Sequence, residues 1–269
     1  MRTRSALLSA LALLSWMPAL AAEDAHEPDL GAVEEPVPFL LDPALRPRSA
    51  RILAPAPTPG TARHAADREV FRQTRALRDS ARWQQAVDDV PLDVPTMLEN
   101  FSCAVGVRLG PVKTPLLAGL LTSVSADAER AIEPAKAANR RGRPFLLDEG
   151  PLCQPKEKLA SYDYPSGHAT WGWTIGLLLA ELVPDRASDV LVRSRTYAES
   201  RVVCGAHNLS AIDAGATNAA ALVATLHGSP RFRDAMEAVR GELEAVRAVE
   251  VLETDRAACA VESAVMPAY

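Results

Sequence analysis

Residues 164–183 read YPSGHATWGWTIGLLLAELV, a turn sequence that runs directly into a long apolar stretch. Apolar residues cover every side of a helix drawn through 169–183, which predicts a helix buried in the core. Pro184 ends this helix because a proline cannot continue it. No run of alternating apolar and polar residues predicts a strand elsewhere in the chain, so we expect an all-α fold.

Helical patterns flank this stretch on both sides, and we assign residues 64–252 to one domain. No internal repeat is visible, so the chain does not have the pattern of a repeat protein. We predict helices over 64–88, through Met97, Leu98 and Phe101, from Thr114 and Pro115 to about 140, over about 186–199, over 211–227 with Ser210 as N-cap, and from Ser229 and Pro230 to about 251.

The chain begins with the pattern of an export signal. Arg2 and Arg4 precede an apolar run over residues 6–16, and Ala19-Leu20-Ala21 offers a cleavage site. This predicts a secretory signal peptide over residues 1–21 and a periplasmic or secreted protein. The run is short for the alternative, an N-terminal membrane anchor.

Two further segments lie outside the predicted domain. Residues 22–63 contain eight of the 21 prolines, so we expect an extended segment that either lies along the domain surface or is mobile. Residues 253–269 form a C-terminal tail. After the signal peptide, we find no stretch with the ~18 apolar residues that a membrane span needs, the best candidate being Trp171 to Val183.

Composition excludes several classes of protein. The 269 residues are 48% hydrophobic and 23% charged, an ordinary globular balance that excludes global disorder and fibrous proteins. The net charge is −5, and cleavage after Ala21 would remove two arginines and no acidic residue, leaving −7. A general nucleic-acid or anionic-membrane partner is therefore not expected.

Three short blocks contain residues that bind and transfer anionic groups: Lys136 to Pro144, Tyr164 to His168, and Ser200 to His207. Each block alone has a structural explanation. Basic residues suit the last turn of a helix, and Pro-Ser-Gly before a helix is a common turn and N-cap. The cysteine spacings match no zinc-binding pattern.

Taken together, the blocks indicate phosphate chemistry. The turn at 165–168 places free N–H groups and the positive end of a helix dipole at one point, which favours an anion. Lys136, Arg143 and Arg201 would add three cations, and the planar arginine fork matches phosphoryl oxygens. One histidine would attack phosphorus while neutral and the other would protonate the leaving oxygen, a division of work that favours mildly acidic pH.

The order K-x6-R-P, P-S-G-H and S-R-x5-H resembles the type 2 phosphatidic acid phosphatase (PAP2) superfamily, and within it the secreted bacterial class A nonspecific acid phosphatases. The likeness runs almost without interruption from Arg143 to Leu226 and more weakly back to residue 64. It implies one helical bundle-like domain of the PAP2 and haloperoxidase type. It also implies hydrolysis of phosphomonoesters to inorganic phosphate, without a metal or other cofactor.

The resemblance assigns roles to individual residues. His207 would be the nucleophile that forms a phosphohistidine, and His168 would be the general acid. The residues that would bind phosphate are Lys136, Arg143, Ser166, Gly167 and Arg201.

One position departs from the family pattern. The third block normally continues H-x3-D, with that Asp bound to the other ring nitrogen of the nucleophile, and here the position is Ala211. Loss of the corresponding carboxylate in a serine-protease triad lowers kcat by about 10⁴-fold. The resemblance therefore implies impaired chemistry, unless Asp213, a backbone carbonyl or a water orients His207. Asp213 also fits a purely structural role in the first turn of the helix after Ser210.

Two other functions share this set of residues. The first alternative is that the protein is a catalytically weak or inactive phosphate-binding relative of the family, which would account for the alanine at position 211. A vanadate-dependent haloperoxidase would use the same cradle, although those chains are usually much longer and keep the Asp.

Export would allow disulfides among Cys103, Cys153, Cys204 and Cys259, for which three pairings exist. We predict Cys153–Cys204, which would tie two active-site segments together, and consequently Cys103–Cys259. The Ala-rich helices would permit a homodimer.

Overall fold

The computed structural model describes residues 39–249 and Cys259, and these residues form the predicted all-α fold, with no β-strand among them. The predicted signal peptide lies outside the described residues, as does all of the C-terminal tail except Cys259. The α-helices are α1 (Ser49–Ile52), α2 (Ala62–Thr74), α3 (Ala81–Asp88), α4 (Val94–Val105), α5 (Pro115–Asn139), α6 (Gly167–Leu182), α7 (Ala187–Val203), α8 (Leu209–Leu226) and α9 (Pro230–Val249).

The helix α6 is the central element, and α7 and α8 pack along it. Most of α6 is buried, as its apolar sequence predicts, but one stripe is not: Trp173, Leu177 and Ala180 are partly buried and Glu181 is exposed. Two glycines allow α7 and α8 to approach α6 closely. A Cβ on Gly176 would overlap the Ser194 hydroxyl of α7, and a Cβ on Gly215 of α8 would lie 2.9 Å from the Ser166 carbonyl oxygen at the start of α6.

The main apolar core joins α6 to α4, α5 and α9. Its largest members include Phe101, Leu121, Leu178 and Phe232, all of which are fully buried or nearly so. Burial of a side chain of this size stabilises a fold by about 1.5–3 kcal/mol. The core therefore fixes where α5 and α6 end and begin, which positions the predicted site.

The segment before α2 lies against the domain. Leu40 N donates to the buried Asp127 of α5 at 2.8 Å, and Ala56 N donates to Asn139 Oδ1 at 2.8 Å. Tyr164 in the turn before α6 donates its hydroxyl hydrogen to the Ala54 carbonyl at 2.7 Å. Residues 39–63 thus follow the first of the two predicted alternatives, although α1 interrupts the expected extended chain; residues 22–38 lie outside the described part.

Two helix predictions are corrected by the structure. The helix expected over 64–88 breaks between α2 and α3, where Asp79 has φ of 65° and Ser80 starts α3 by accepting from Trp83 N at 3.2 Å. Ser210 is not the N-cap of α8, because the helix begins one residue earlier and Asn208 takes that position. The Ser210 hydroxyl instead donates to Asp67 Oδ2 at 2.5 Å.

By length and composition alone, α8 could cross a membrane, since its mean hydropathy is 1.3 over 18 residues. The sequence expectation concerned a stretch of ~18 apolar residues, which α8 does not contain because polar residues such as Asp213 and Asn218 interrupt it. Within the described part of the chain it is the one helix that meets the criterion, and 56% of it is buried in the protein.

Both predicted disulfides are confirmed. Cys103 of α4 pairs with Cys259, with a Cα–Cα distance of 5.4 Å. Cys153 pairs with Cys204 at the end of α7, with a Cα–Cα distance of 4.7 Å. The second bridge joins the loop after the first sequence block to the third block.

Candidate active site

The three sequence blocks meet at one cavity of about 500 Å³. It lies where the C-terminal end of α5, the N-terminal end of α6, the end of α7 and the loop before α8 come together. The predicted site residues that line it are Lys136, Arg143, Gly167, His168, Arg201 and His207.

The N-terminal turn of α6 opens into this cavity. Ser166 is buried and caps the helix by accepting from Ala169 N at 3.3 Å, and it does not line the cavity itself. Gly167 and His168 follow it at the cavity wall. The first N–H groups of a helix have no partner within the helix, so this end of α6 suits an anion.

Arg201 is completely buried at the cavity, and only part of its guanidinium is satisfied. Nη2 donates to Gln154 Oε1 at 2.8 Å. Nε and Nη1 find no hydrogen-bond partner among the described residues. Burial lowers the pKa of Arg201 to about 10, so the group stays charged at acidic and neutral pH. Buried, charged donors without a partner are costly, and an oxyanion in the cavity would satisfy them.

Gln154 reaches Arg201 because Cys153 is bonded to Cys204. The backbone reinforces this link, since Cys153 N donates to the Cys204 carbonyl at 3.3 Å. The disulfide therefore connects the polar partner of Arg201 to the end of α7.

Lys136 and Arg143 supply the other two cations, and both are almost fully buried. Lys136 Nζ donates to the Tyr162 carbonyl at 2.6 Å. Arg143 donates from Nε to the Ser161 carbonyl and from Nη1 to the Ala206 carbonyl, each at 2.8 Å. Burial, and then the charge of Arg143, lower the pKa of Lys136 to about 8.

The contacts of His207 determine which ring nitrogen carries hydrogen. Nδ1 lies 2.7 Å from the Asp163 carbonyl oxygen and 3.0 Å from Asp163 Oδ1. Nε2 lies 2.9 Å from Arg143 Nη1. A carbonyl oxygen can only accept and a guanidinium can only donate. The hydrogen is therefore on Nδ1, and the lone pair of Nε2 accepts from Arg143 Nη1 at the cavity.

The same surroundings keep His207 neutral. Burial, and then the charge of Arg143, lower its pKa to about 3, although the hydrogen bond and charge of Asp163 act in the opposite direction. Neutral imidazole is the nucleophilic form, so Nε2 is available through the mildly acidic range.

Asp163 is completely buried and surrounded by donors. Oδ1 accepts from Asn208 N at 3.1 Å, while Oδ2 accepts from Asn208 Nδ2 at 2.9 Å and Arg141 Nε at 2.7 Å. Burial alone would raise the pKa of this carboxyl, but the hydrogen bond from His207 and the charge of Arg141 hold it below its usual value. The group facing Nδ1 is therefore an ionised carboxylate.

Sequence reasoning missed Asp163 and considered Asp213 in its place. The Asp213 side chain is 58% exposed, and its ion-pair partner is Arg63, at 3.7 Å. Both ring nitrogens of His207 face other residues, so Asp213 does not orient this ring in the structure. The available signal for Asp163 was its position directly before the second block, two residues before Pro165, but it lies 44 residues from His207 in sequence.

Ala211 lies where the family pattern predicts an acid, and its surroundings are apolar. It is completely buried in a cluster with Leu53, Ala135 and Tyr164. Its carbonyl accepts from Ser166 N at 3.0 Å, which ties α8 to the turn before α6.

His168 has a different environment from His207. Its Nε2 lies 3.0 Å from the Val90 carbonyl, which can only accept, so Nε2 carries a hydrogen. Burial, and then the charge of Arg201, lower its pKa well below the usual histidine value. The ring stacks on Tyr197 with centroids 6.4 Å apart.

The outer part of the cavity can take a substrate group larger than phosphate. Its lining also includes the apolar side chains of Leu92 and Trp171 and the acidic side chains of Glu129 and Glu133 of α5. Over residues 39–249 and 259, no group of three or more His, Cys, Asp or Glu side chains is arranged to bind a metal ion.

Comparison with known proteins agrees with this geometry. The PAP2 superfamily profile matches residues 114–234. The chain is 40% identical over 198 residues to an acid phosphatase of Zymomonas mobilis, covering 72% of this chain and 75% of that protein. It is 34% identical over 198 residues to a non-specific acid phosphatase of Salmonella typhimurium (71% and 78% covered) and 33% identical to one of Providencia stuartii (72% and 80% covered).

Proposed function

This chain belongs to the PAP2 superfamily and to its acid phosphatases, and we propose that it hydrolyses phosphomonoesters through a phosphohistidine on His207. The observation that carries the proposal is the pair of buried, unpartnered donors of Arg201 in a cavity that also contains Lys136 and Arg143. Three cations and a helix N-terminus suit the oxygens of a phosphoryl group. The neutral Nε2 of His207 lies among them.

In the first step, the lone pair of His207 Nε2 attacks phosphorus and forms an N–P bond. The P–O bond to the leaving group breaks, and His168 gives that oxygen a proton. Because Nε2 of His168 is occupied by the Val90 carbonyl, the proton that is transferred is on Nδ1. The low pKa of His168 without substrate requires the negative charge of bound phosphate to hold that proton.

In the second step, water attacks the phosphohistidine. Neutral His168 removes a proton from the water, the N–P bond breaks, and Nε2 regains its lone pair. Inorganic phosphate leaves with the oxygen from water. Arg143, Lys136 and Arg201 stabilise the phosphoryl oxygens in both steps, since the transferred group carries most of the charge. A phosphate contact from the Ser166 hydroxyl stays a prediction, since Ser166 is buried behind the cavity-lining Gly167 and does not line the cavity itself.

The site of action we propose is the periplasm or the exterior of the cell. The two disulfides support this location, since such bridges persist in oxidising compartments. Edman sequencing of the protein secreted by its source cell, with a new N-terminus near Ala22, would test it.

Impaired activity stays a prediction from Ala211, as does the alternative of a phosphate-binding protein without turnover. Both assume that no carboxylate reaches Nδ1 of His207. The contact with Asp163 removes that premise and favours the enzyme.

Trapping the intermediate tests the proposed function. Wild type is mixed with p-nitrophenyl phosphate at about pH 5–6, quenched rapidly and analysed by intact mass and peptide mapping at neutral pH. We expect steady turnover and one phosphoryl group on His207. Turnover without a modified histidine would contradict the mechanism, and phosphate binding without turnover would favour the silent alternative.

A further inference from the structure

We infer that Asp163 is the positioning residue for His207, supplying from the loop before α6 the carboxylate that related sequences place on α8. The inference rests on the proposed function, in which His207 is the nucleophile. It assigns to Asp163 the task that residue 211 cannot perform with an alanine side chain.

Two oxygens of Asp163 act on the same ring nitrogen. The backbone carbonyl at 2.7 Å fixes the hydrogen on Nδ1, and the carboxylate at 3.0 Å adds negative charge beside the ring. When Nε2 bonds to phosphorus, the ring becomes cationic while Arg143 already lies next to it. A buried carboxylate in contact with that ring stabilises the cation, which the carbonyl does less well because it has no net charge.

The carboxylate is itself held in place. Asn208 and Arg141 contribute three hydrogen bonds to it, and Arg141 also donates to Asp67 at 3.1 Å. Asp67 and Asp163 are both buried, so neither acid is free to turn away from its partners. A ring oriented by such a network keeps Nε2 aimed at the cavity.

The same geometry explains why alanine is suited to position 211. Its methyl group packs in an apolar cluster with Leu53 and Tyr164, and its backbone is bonded to the turn before α6. An acid added there would be a second buried carboxylate close to Asp163. Like charges at close range cost stability and raise a pKa. One carboxylate at this ring is therefore favoured, from either position but not from both.

If Asp163 served only to pair with Arg141 and stabilise the fold, its replacement would affect stability and kcat differently. Removing it would lower stability, yet kcat per folded molecule would change little. A new acid at residue 211 would then restore nothing, because the family pattern directs it to the ring and not to Arg141.

The test compares wild type with Asp163→Ser, Ala211→Asp and both changes combined, using p-nitrophenyl phosphate. We expect Asp163→Ser to lower kcat by about 100-fold or more, while KM changes by less than about threefold, because Asp163 does not line the cavity. The kcat of the combined variant should be at least about tenfold higher than that of Asp163→Ser. Ala211→Asp alone should gain nothing. Asp213→Asn is the matched control, an exposed acid whose loss leaves kcat unchanged.

A second matched pair keeps the test decisive if Asp163→Ser does not fold. The combined variant is compared with Asp163→Ser/Ala211→Asn, which has the same shape at residue 211 but no charge. A kcat at least about tenfold higher for the acid supports the inference, and equal values overturn it.

The remaining outcomes also discriminate. Asp163→Ser with more than about a third of wild-type kcat overturns the inference and leaves the proposed function standing, as does an Ala211→Asp variant about tenfold faster than wild type. A wild-type protein that does not hydrolyse the substrate overturns the proposed function, and the inference with it.

Discussion

The two histidines of the cavity show how the same side chain acquires two roles. His207 is 2% exposed and both of its ring nitrogens are engaged, one by an acid and one by a cation. His168 is only partly buried at the start of α6, and its Nε2 faces a neutral carbonyl. A carboxylate beside His207 suits a nucleophile whose ring becomes cationic. The neutral carbonyl beside His168 leaves that ring able to gain and lose a proton.

The pKa values follow the same division. Burial lowers the pKa of both histidines, and nearby arginines add to the effect. His207 must be neutral to attack, so its pKa of about 3 is suited to acidic conditions. In the proposed mechanism His168 gains a proton, and bound phosphate would supply negative charge that counters Arg201.

Of the substitutions at the two histidines, replacing the proposed nucleophile should lower kcat the most. His207→Ala removes the attacking nitrogen, so we expect kcat to fall by about 10⁴-fold or more and no phosphoenzyme to form. Inorganic phosphate should still bind, which isothermal calorimetry measures. His227→Ala is the control, a half-exposed histidine outside the cavity. Residual activity above about 1% of wild type would assign the attack to another group.

Replacing the proton donor should have a smaller effect that depends on the substrate. His168→Ala should lower kcat by about 10²–10⁴-fold with an alkyl phosphate, whose leaving oxygen needs a proton. The loss with p-nitrophenyl phosphate should be at least about tenfold smaller, because that leaving group departs as a stable anion. Steady-state rates with both substrates measure the ratio. Equal losses would show that His168 positions phosphate rather than protonating the leaving group.

The third prediction concerns Lys136, a cation that lines the same cavity as both histidines. Lys136 has a pKa of about 8, so it is charged below that pH and loses its attraction for phosphate above it. We expect kcat/KM, which reports the free enzyme, to fall towards tenfold per pH unit above about pH 8. Lys136→Arg should move this decline upward, since a guanidinium stays charged. A flat profile to about pH 10 in wild type would contradict the assignment.

The smallest effect should come from the packing behind His168. In Gly215→Ala the new Cβ would lie 2.7 Å from Ala169 Cβ and 2.9 Å from the Ser166 carbonyl. We expect the free energy of unfolding to fall by about 1–3 kcal/mol. Because this contact supports α6 and not the loop of His207, the kcat loss should be a few-fold and greater with alkyl phosphates.

Chemical denaturation measures the stability change against a matched glycine. Gly119→Ala on α5 meets no atom within 4 Å, so it should leave stability unchanged or raise it by about 0.5–1 kcal/mol. A Gly215→Ala variant as stable as Gly119→Ala would show that the higher helix propensity of alanine, and not the contact with α6, dominates at Gly215.

Much of the fold could be predicted because its signals are local. The apolar run after His168 could only be a buried helix, and Thr114-Pro115 marks the start of α5 as observed. The errors arose where tertiary contacts compete with local preferences. Ser210 has the side chain of an N-cap, but it bonds to Asp67 of α2, and Asn208 begins the helix instead.

The sequence alone determined the chemistry of the site, because residue types and their spacing within each block identify three cations, two histidines and a helix N-terminus. Tertiary structure alone decided which carboxylate reaches His207. The family pattern H-x3-D pointed to residue 211, and Asp213 is the next acid along the chain, so both candidates came from positions close to His207 in sequence. Asp163 reaches the ring because the loop before α6 packs on the loop before α8, closed by the hydrogen bond from Ser166 N to the Ala211 carbonyl at 3.0 Å.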